Sequence, residues 1–296
     1  MQNKFIKKNA KYPLVSVIMN CFNGEKFLSE AIDSVYAQTF QDWEIIFWDN
    51  ASSDRTAKIA KSYDKKLKYF RASKTTALGE ARVAATKMAK GKYLAFLDCD
   101  DIWLKDKLRD QVEIFKNYKD EVGIVYGRSE VIFESNTQKN FVFKEDKKLP
   151  EGDVLSELAK ENFIIFSSAM VNKKKFFECG GFPVHLYNST DYWIFLHMAK
   201  KYSCGVFQEV CCKNRIHDGS LSVRQKVIGA EESIAALRDL LPDDRVEKGL
   251  QNQYVNLIIM QLKERKFLTA INILKRHGGL IKVLNRIFIR IKSYIW

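Results

Sequence analysis

The feature that most constrains this chain is an alternation, over its first hundred residues, of short β-branched apolar runs with segments of helical periodicity. The first such run is 14–19, and over 25–38 the apolar residues recur every three or four positions. A short β-branched run suits a strand that is buried on both faces of a parallel sheet. Strands and helices that alternate in units this short imply parallel strands joined by right-handed crossovers.

The alternation continues to about residue 100 and then becomes mixed. The first part predicts further strands at 43–48, 67–71 and 93–97, with helices at 56–63 and 79–89. The later part predicts helices at 104–118, 154–160 and 191–201, strands at 123–126, 167–172 and 205–211, and a hairpin of 131–133 with 140–143. The chain is therefore predicted to be an α/β protein.

Acidic residues follow two of the predicted strands, at 49–54 and at 98–101. Ligands of such sheets bind in the crevice beyond the carboxyl ends of the strands. Asp98, Asp100 and Asp101 repel one another unless a hard divalent cation with oxygen ligands neutralises them. The alternative is a solvated turn in which Asp101 caps the next helix. Capping alone does not explain a second acidic cluster at another strand end.

The formal net charge of +13 is concentrated at the two ends of the chain. Residues 1–11 carry +4 and residues 255–296 carry +8, which leaves +1 for the 243 residues between them. A protein that reads nucleic acid spreads its cations over the folded surface, so we expect no nucleic-acid partner. In segment 280–296, apolar residues recur at helical spacing with cations between them, which predicts an amphipathic helix on an anionic membrane surface. The alternative is a helix docked on the protein itself or on a second subunit.

Other features favour a cytoplasmic location. No apolar stretch approaches the roughly 18 residues that a membrane-spanning helix needs. Polar residues interrupt any signal-like apolar region near the N-terminus. The six cysteines form no CxxC pair and are too sparse for a disulfide scaffold, so we expect reduced thiols.

Several separated motifs together resemble one known family. Segments 15–56 and 77–101, followed by Gly180-Gly181-Phe182 and Thr190-Asp191-Tyr192, resemble the family 2 glycosyltransferases with a GT-A fold, over about residues 13–222. The resemblance implies a Rossmann-like, mixed but mainly parallel sheet with flanking helices in a domain at 1–224. After this domain we expect a helical C-terminal region at 225–296. The nucleotide-binding half would be 13–101 and the acceptor half 102–224.

The resemblance also implies an activity. A sugar would pass from a nucleoside diphosphate sugar to a hydroxyl of a glycan, with inversion at the anomeric carbon. The expected acceptor is a glycan on a polyprenyl diphosphate lipid, in the biosynthesis of a bacterial surface polysaccharide such as O-antigen or capsule. The enzyme would then associate peripherally with the inner face of the cell membrane.

Four donor-side residues match motif positions of the family. Asp49 stands where a carboxylate contacts the nucleobase, which favours UDP although guanine would also fit. Asp98 would lie near the ribose, and Asp100 would bind Mg²⁺ or Mn²⁺. Arg82 would lie along the nucleotide, with a surface arginine as the alternative. The family often has Asp-Asp-Gly at Asp49 and Ala-Arg-Asn at Arg82, and this chain departs from both patterns after the residue named.

The second half supplies the remaining candidates. Asp191 is the candidate general base, and Thr190 replaces the glutamate that often precedes it. Arg215 would face the diphosphate. His217 would complete the coordination of the metal, with a structural histidine as the alternative. Trp103 either stacks on a sugar or belongs to the core.

Two other functions are open on the sequence alone. A nucleotidyltransferase on a similar sheet usually has a Gly-rich N-terminal loop followed by a basic residue, and Asn23-Gly24-Glu25 does not supply one. A non-enzymatic membrane or RNA-binding protein would leave both acidic clusters unexplained.

Overall fold

The computed structural model describes residues 12–118, 121–135 and 138–277. The first half alternates strand and helix as predicted: β1 (Val15–Cys21), α1 (Leu28–Tyr36), β2 (Trp43–Asp49), α2 (Thr56–Ala60), β3 (Leu67–Arg71), α3 (Leu78–Met88) and β4 (Tyr93–Phe96). Helix α1 begins three residues later than predicted because the preceding residues form a loop. In that loop Asn23 has a φ of 52°, and the Gly24 N–H donates to Oγ1 of Thr56 (2.9 Å).

The four strands of the first half are parallel and lie in the order β3, β2, β1, β4. The register pairs Cys21 with Asp49 and Asp49 with Arg71, while Ile18 pairs with Phe96. The carboxyl ends of these strands therefore meet at one edge of the sheet. The end of β2 and the loop after β4 both lie at this edge, as the sequence predicts.

The second half completes the sheet with shorter and mixed elements. They are β5 (Ile102–Trp103), α4 (Lys107–Asn117), β6 (Val122–Phe133), β7 (Phe141–Val142), α5 (Leu155–Lys160), a 3₁₀ turn (Phe166–Ser168), β8 (Met170–Asn172), α6 (Lys173–Glu178), α7 (Thr190–Lys201) and β9 (Ser203–Ile216). The sheet continues from β4 through β8, β6 and β9 to β5, and β7 pairs with β6, which confirms the predicted hairpin. Strand β8 is antiparallel to both of its neighbours, whereas β6 and β9 are parallel.

Strand β9 is longer than the predicted strand 205–211. The prediction stopped where the residues become polar, at Lys213, Asn214 and Arg215. These residues remain in the strand because their backbone pairs with residues 130–132 of β6. The extension brings Arg215 and the following His217 to the edge where β4 ends.

The C-terminal helices share a core with the rest of the chain. They are α8 (Leu221–Arg224), α9 (Lys226–Arg238), α10 (Asp244–Lys263) and α11 (Phe267–His277). Leu237 of α9 and Tyr254 of α10 belong to the same buried cluster as Phe96 of β4. Helix α10 lies so close to α5 that a Cβ on Gly249 would be 2.3 Å from the carbonyl oxygen of Ala159. The described part of the predicted region 225–296 therefore packs directly on the predicted domain 1–224.

Two predictions concern the ends of the chain. The amphipathic basic helix expected at 280–296 and the lysines of residues 1–11 both lie outside the described residues. Within the described ranges, no helix is both long and apolar enough to cross a bilayer. All six cysteines lie in the described ranges and are free thiols.

Candidate active site

The loop that follows β4 carries the three aspartates and is held by a buried serine. The backbone N–H of Asp98 donates to Oγ of Ser167 (3.1 Å), and this hydroxyl in turn donates to Oδ2 of Asp101 (2.5 Å). Ser167 lies in the 3₁₀ turn before β8 and is fully buried. One hydroxyl thus fixes both ends of the acidic loop.

Asp101 is a brace inside the protein. It is buried, and it accepts hydrogen bonds from Asn214 Nδ2 (3.2 Å) and from the backbone N–H of Arg215 (2.8 Å). Burial, together with the charges of Asp100 and Asp98, raises the pKa of Asp101 well above its usual range. The capping alternative for Asp101 is wrong, because α4 begins only at Lys107.

Asp100 and His217 are brought together as predicted. Nε2 of His217 lies 2.9 Å from Oδ2 of Asp100, and both side chains are partly exposed. The Arg215 guanidinium donates from Nε to the backbone oxygen of Asp100 (2.9 Å), pairs with Glu30 and lies over the ring of Phe27. Arg215 therefore lies beside the acidic loop. Its guanidinium, which is predicted to face a diphosphate, is paired with Glu30 in this structure.

Asp100 and His217 offer two ligands for a divalent cation. A carboxylate oxygen and an imidazole nitrogen converge at Asp100 and His217, and Asp98 lies two residues away. Within the described residues, no group of three or more histidine, cysteine or acidic side chains is arranged to hold a metal by itself. The residues fit a cation such as Mg²⁺, which binds one or two carboxylates and completes its shell with phosphate oxygens and water.

Arg82 joins the two halves of the site. Its guanidinium lies 3.5 Å from Oδ1 of Asp98 and 3.5 Å from Oδ1 of Asp191, and it donates to Oγ1 of Thr190 (2.6 Å). The side chain is buried and packs on the ring of Phe166 at 3.8 Å. The surface alternative for Arg82 is wrong, because the buried face of α3 turns toward the start of α7.

Asp191 is the second residue of α7 and remains partly accessible to solvent, with 19% of its side chain exposed. Partial burial and the charges of Asp100 and Asp191 raise the pKa of Asp98 to about 7, against the opposing effect of Arg82. Asp98 and Asp191, which are distant in sequence, therefore lie on either side of one guanidinium, whose positive charge offsets theirs.

Asp49 lies at the predicted edge, but its carboxylate points into the protein. It is fully buried and accepts hydrogen bonds from Tyr69 Oη (2.6 Å), Arg71 Nη1 (2.7 Å) and the backbone N–H of Ser52 (2.7 Å). Arg71 is half exposed and covers this carboxylate from the solvent side. A nucleobase would reach Asp49 only after Arg71 moves.

Sequence reasoning missed three residues that shape the site: Ser167, Asp101 as a brace, and Arg71. Arg71 had a usable signal, because it ends a predicted strand beside Asp49. Ser167 had none, since a serine in a turn is common. Trp103 is buried and donates from Nε1 to the Ser167 carbonyl oxygen (2.7 Å), so the core alternative applies to it.

Comparisons with known proteins identify a family for this chain. Residues 16–181 match the family model described as Glycosyl transferase family 2. The chain is 30% identical over 263 residues to the UDP-Glc:alpha-D-GlcNAc-diphosphoundecaprenol beta-1,3-glucosyltransferase WfgD of Escherichia coli, which covers 86% of this chain and 96% of WfgD.

Two solved structures share the fold at low identity. TarS of S. aureus in complex with UDP-GlcNAc superposes with a TM-score of 0.63 at 18% identity, covering 89% of this chain and 73% of TarS. The mannosyltransferase PcManGT of Pyrobaculum calidifontis in complex with GDP-Man and Mn²⁺ gives 0.65 at 15% identity, with 97% and 82% covered. These similarities confirm the predicted fold class.

Proposed function

The chain belongs to glycosyl transferase family 2 and is a glycosyltransferase, and from this premise we propose that it transfers a sugar from UDP to a glycan hydroxyl with inversion. The observation that carries the proposal is the position of Arg82. One buried guanidinium lies 3.5 Å from a carboxylate of the donor-side loop, Asp98, and 3.5 Å from the candidate base, Asp191. An inverting displacement needs donor and acceptor groups to face each other across such a short gap.

On the donor side, the proposal places the nucleoside diphosphate over the loop at 98–101. Asp98 would lie near the ribose, and Arg215 would turn from Glu30 toward the diphosphate. Asp49 would accept the imide N–H of uracil once Arg71 moves away. The UDP-Glc in the name of WfgD supports a uridine nucleotide, although PcManGT shows that the same fold also binds GDP-Man.

The proposed metal ligands are Asp100 and His217, which would hold Mg²⁺ or Mn²⁺ between them and the diphosphate. Such a cation, when bound, supplies a Lewis acid for the charge on the departing diphosphate. The Mn²⁺ in the PcManGT complex supports the use of a divalent cation, and the 2.9 Å contact of Asp100 with His217 supports these two residues as its ligands. Asp101 would keep the loop in place by its bonds to β9, without touching the substrate.

On the acceptor side, Asp191 would act as the general base. It takes the proton of the acceptor hydroxyl while that oxygen forms a bond to the anomeric carbon and the bond from that carbon to the diphosphate breaks. The Arg82 guanidinium, 3.5 Å from Oδ1 of Asp191, would hold this carboxylate in position. A second carboxylate to protonate the leaving group would not be needed, because Arg215 and a bound cation would offset the charge on the diphosphate.

For the acceptor, we propose a glycan on a polyprenyl diphosphate, as the diphosphoundecaprenol in the name of WfgD suggests. A lipid-linked acceptor would require the enzyme to work at an anionic membrane surface. In support, α11 exposes Phe267, Leu268 and Ile271 next to Lys266, and it leads toward the basic segment 280–296. The proposed setting is the synthesis of a surface polysaccharide.

Deletion of residues 280–296 is expected to weaken binding to anionic vesicles by at least about tenfold, because each lysine or arginine near such a surface contributes about 1 kcal/mol. Cosedimentation with phosphatidylserine vesicles measures the change. A matched variant with Lys282, Arg286, Arg290 and Lys292 replaced by Gln should lose as much, and neutral vesicles serve as the control. Unchanged binding after the deletion would remove this segment from the proposal.

The proposed reaction is tested by incubating the protein with UDP-glucose or UDP-GlcNAc, Mg²⁺ or Mn²⁺, and a polyprenyl-diphosphate-linked sugar. We expect release of UDP that depends on the acceptor. GDP-mannose serves as the matched donor control and should not be used. Release of UDP at the same rate without an acceptor would contradict the proposed acceptor. Turnover of GDP-mannose but not of the UDP-sugars would contradict the proposed donor.

A further inference from the structure

Glu232 of α9 holds the segment that precedes the candidate base. Its side chain is buried, with 8% of the residue exposed. Oε1 accepts the backbone N–H of Tyr187 (2.6 Å), and Oε2 accepts those of Asn188 (2.8 Å) and Ser189 (2.7 Å). Three consecutive backbone N–H groups thus converge on one carboxylate, an arrangement that binds anions strongly.

The three residues lead directly into α7, whose second residue is Asp191. Ser189 is the N-cap residue of this helix, but its hydroxyl forms no capping bond and donates instead to the carbonyl oxygen of Gly229 (3.0 Å). Negative charge stabilises a helix N-terminus. Here Glu232 supplies that charge from a different helix, so the start of α7 depends on α9.

Helix α9 is fitted to this segment at two further points. The Asn188 side chain donates from Nδ2 to the carbonyl oxygen of Gln225 (3.2 Å). Gly229 lies opposite the same side chain, and a Cβ at this position would be 2.9 Å from Asn188 Nδ2. A Cβ at residue 229 would therefore displace the end of the Asn188 side chain, which bonds to Gln225. The contacts at Gln225, Gly229 and Glu232 form one clamp, which we call the α9 clamp.

We infer that Glu232 is a positioning residue, which fixes residues 187–189 and so sets where the Asp191 carboxylate meets the acceptor hydroxyl. This inference rests on the proposed role of Asp191 as general base. Arg82 contacts Thr190 and Asp191 directly. The α9 clamp holds the three residues that precede them in the chain. Small displacements matter, because an error of about 1 Å in a reacting group costs roughly 10²-fold in rate.

The kinetic test compares Glu232→Ala with Glu231→Ala, an exposed neighbour on the same helix. Glu232→Ala should lower kcat by about 10- to 100-fold through displacement of the base. The Kd for UDP should be unchanged, and kcat is normalised to the fraction of protein that binds UDP, which removes any loss of folded protein. Glu231→Ala should behave as wild type, and Glu232→Gln, which keeps one accepting oxygen, should recover part of the rate. A normalised kcat that stays at the wild-type value would overturn the inference.

A double-mutant cycle separates positioning of the base from a general structural role. In an Asp191→Asn background the base is already lost, so adding Glu232→Ala should lower the residual rate by less than about twofold. If the fold-loss in rate of the double variant equals the product of the fold-losses of the two single variants, Glu232 acts independently of Asp191. This result would contradict the inference.

Amide hydrogen exchange at residues 187–189 reports on the clamp without any enzyme activity. Exchange at these three amides should accelerate by at least about tenfold in Glu232→Ala and remain slow in Glu231→Ala. If exchange in Glu232→Ala is unchanged while the wild type transfers sugar, the inference fails and the proposed function stands. If the wild type transfers no sugar, the catalytic part of the inference fails together with the proposed function.

Discussion

Asp191→Asn is expected to lower kcat by roughly 10²- to 10⁴-fold while leaving donor binding unchanged, because the amide cannot take the proton of the acceptor hydroxyl. The replacement has almost the same shape. Its oxygen can still accept from Arg82, which lies 3.5 Å from the carboxylate in the wild type. The loss should therefore appear in turnover alone, which steady-state kinetics and calorimetric titration with the UDP-sugar measure separately.

Asp42→Asn is the matched control for this substitution. Asp42 is exposed and directly precedes β2, so it lies at the opposite edge of the sheet from the candidate site. Removal of one surface charge there should leave kcat within about twofold of wild type, since exposed charges contribute little. Wild-type turnover in Asp191→Asn would mean that another group is the base.

Asp100→Ala is expected to reduce transfer by about 10³-fold, because Lewis-acid stabilisation of a leaving group contributes several kcal/mol and each 1.36 kcal/mol is tenfold in rate. The side chain of Asp100 contacts His217, whereas the bond from Arg215 goes to the Asp100 backbone oxygen and survives the substitution. The fold should be unaffected, and a calorimetric titration should show weaker binding of Mn²⁺ in the presence of UDP.

His217→Ala, which removes the other proposed ligand, should weaken Mn²⁺ binding in the same direction. Asp42→Ala provides the matched control at the far edge of the sheet, with Mn²⁺ binding and rate as in the wild type. Full activity of the wild-type enzyme in excess chelator would exclude the proposed role of the metal.

Much of the first half was predictable from the sequence. Strands such as β2 are buried on both faces, and a continuous β-branched or aromatic run leaves few alternatives. The parallel order then places the carboxyl ends of β2 and β4 at one edge, so the two acidic clusters had to meet there. The strand pattern alone therefore predicts where the loop at 98–101 lies.

The partners of individual charged residues were not predictable in the same way. Periodicity places Arg82 on a helix, but its partner Thr190 is 108 residues away, and no local pattern reports such a contact. Asp49 and Asp101 look alike in sequence, as acids at strand ends, and both turn inward because donors from β3 and β9 bond to them. Whether a carboxylate faces a ligand or the protein depends on these distant donors.

Contacts of the C-terminal helices with the rest of the chain were also not predictable from the sequence. A helical region is expected at 225–296, but this expectation does not reveal that α9 contacts the start of α7. In the sequence, Glu232 looks like one more charged residue of a helix, next to the exposed Glu231. Its burial depends on backbone N–H groups from residues 187–189, which a sequence pattern does not specify.

The configuration of the product tests the central claim most directly. A proton NMR spectrum of the glycan formed from an α-linked UDP-hexose reports the anomeric configuration of the new bond. A single displacement with Asp191 as base predicts a β-linked product that requires both the acceptor and the divalent cation. An α-linked product would contradict the account, because it requires retention and hence a different arrangement of the groups around Arg82.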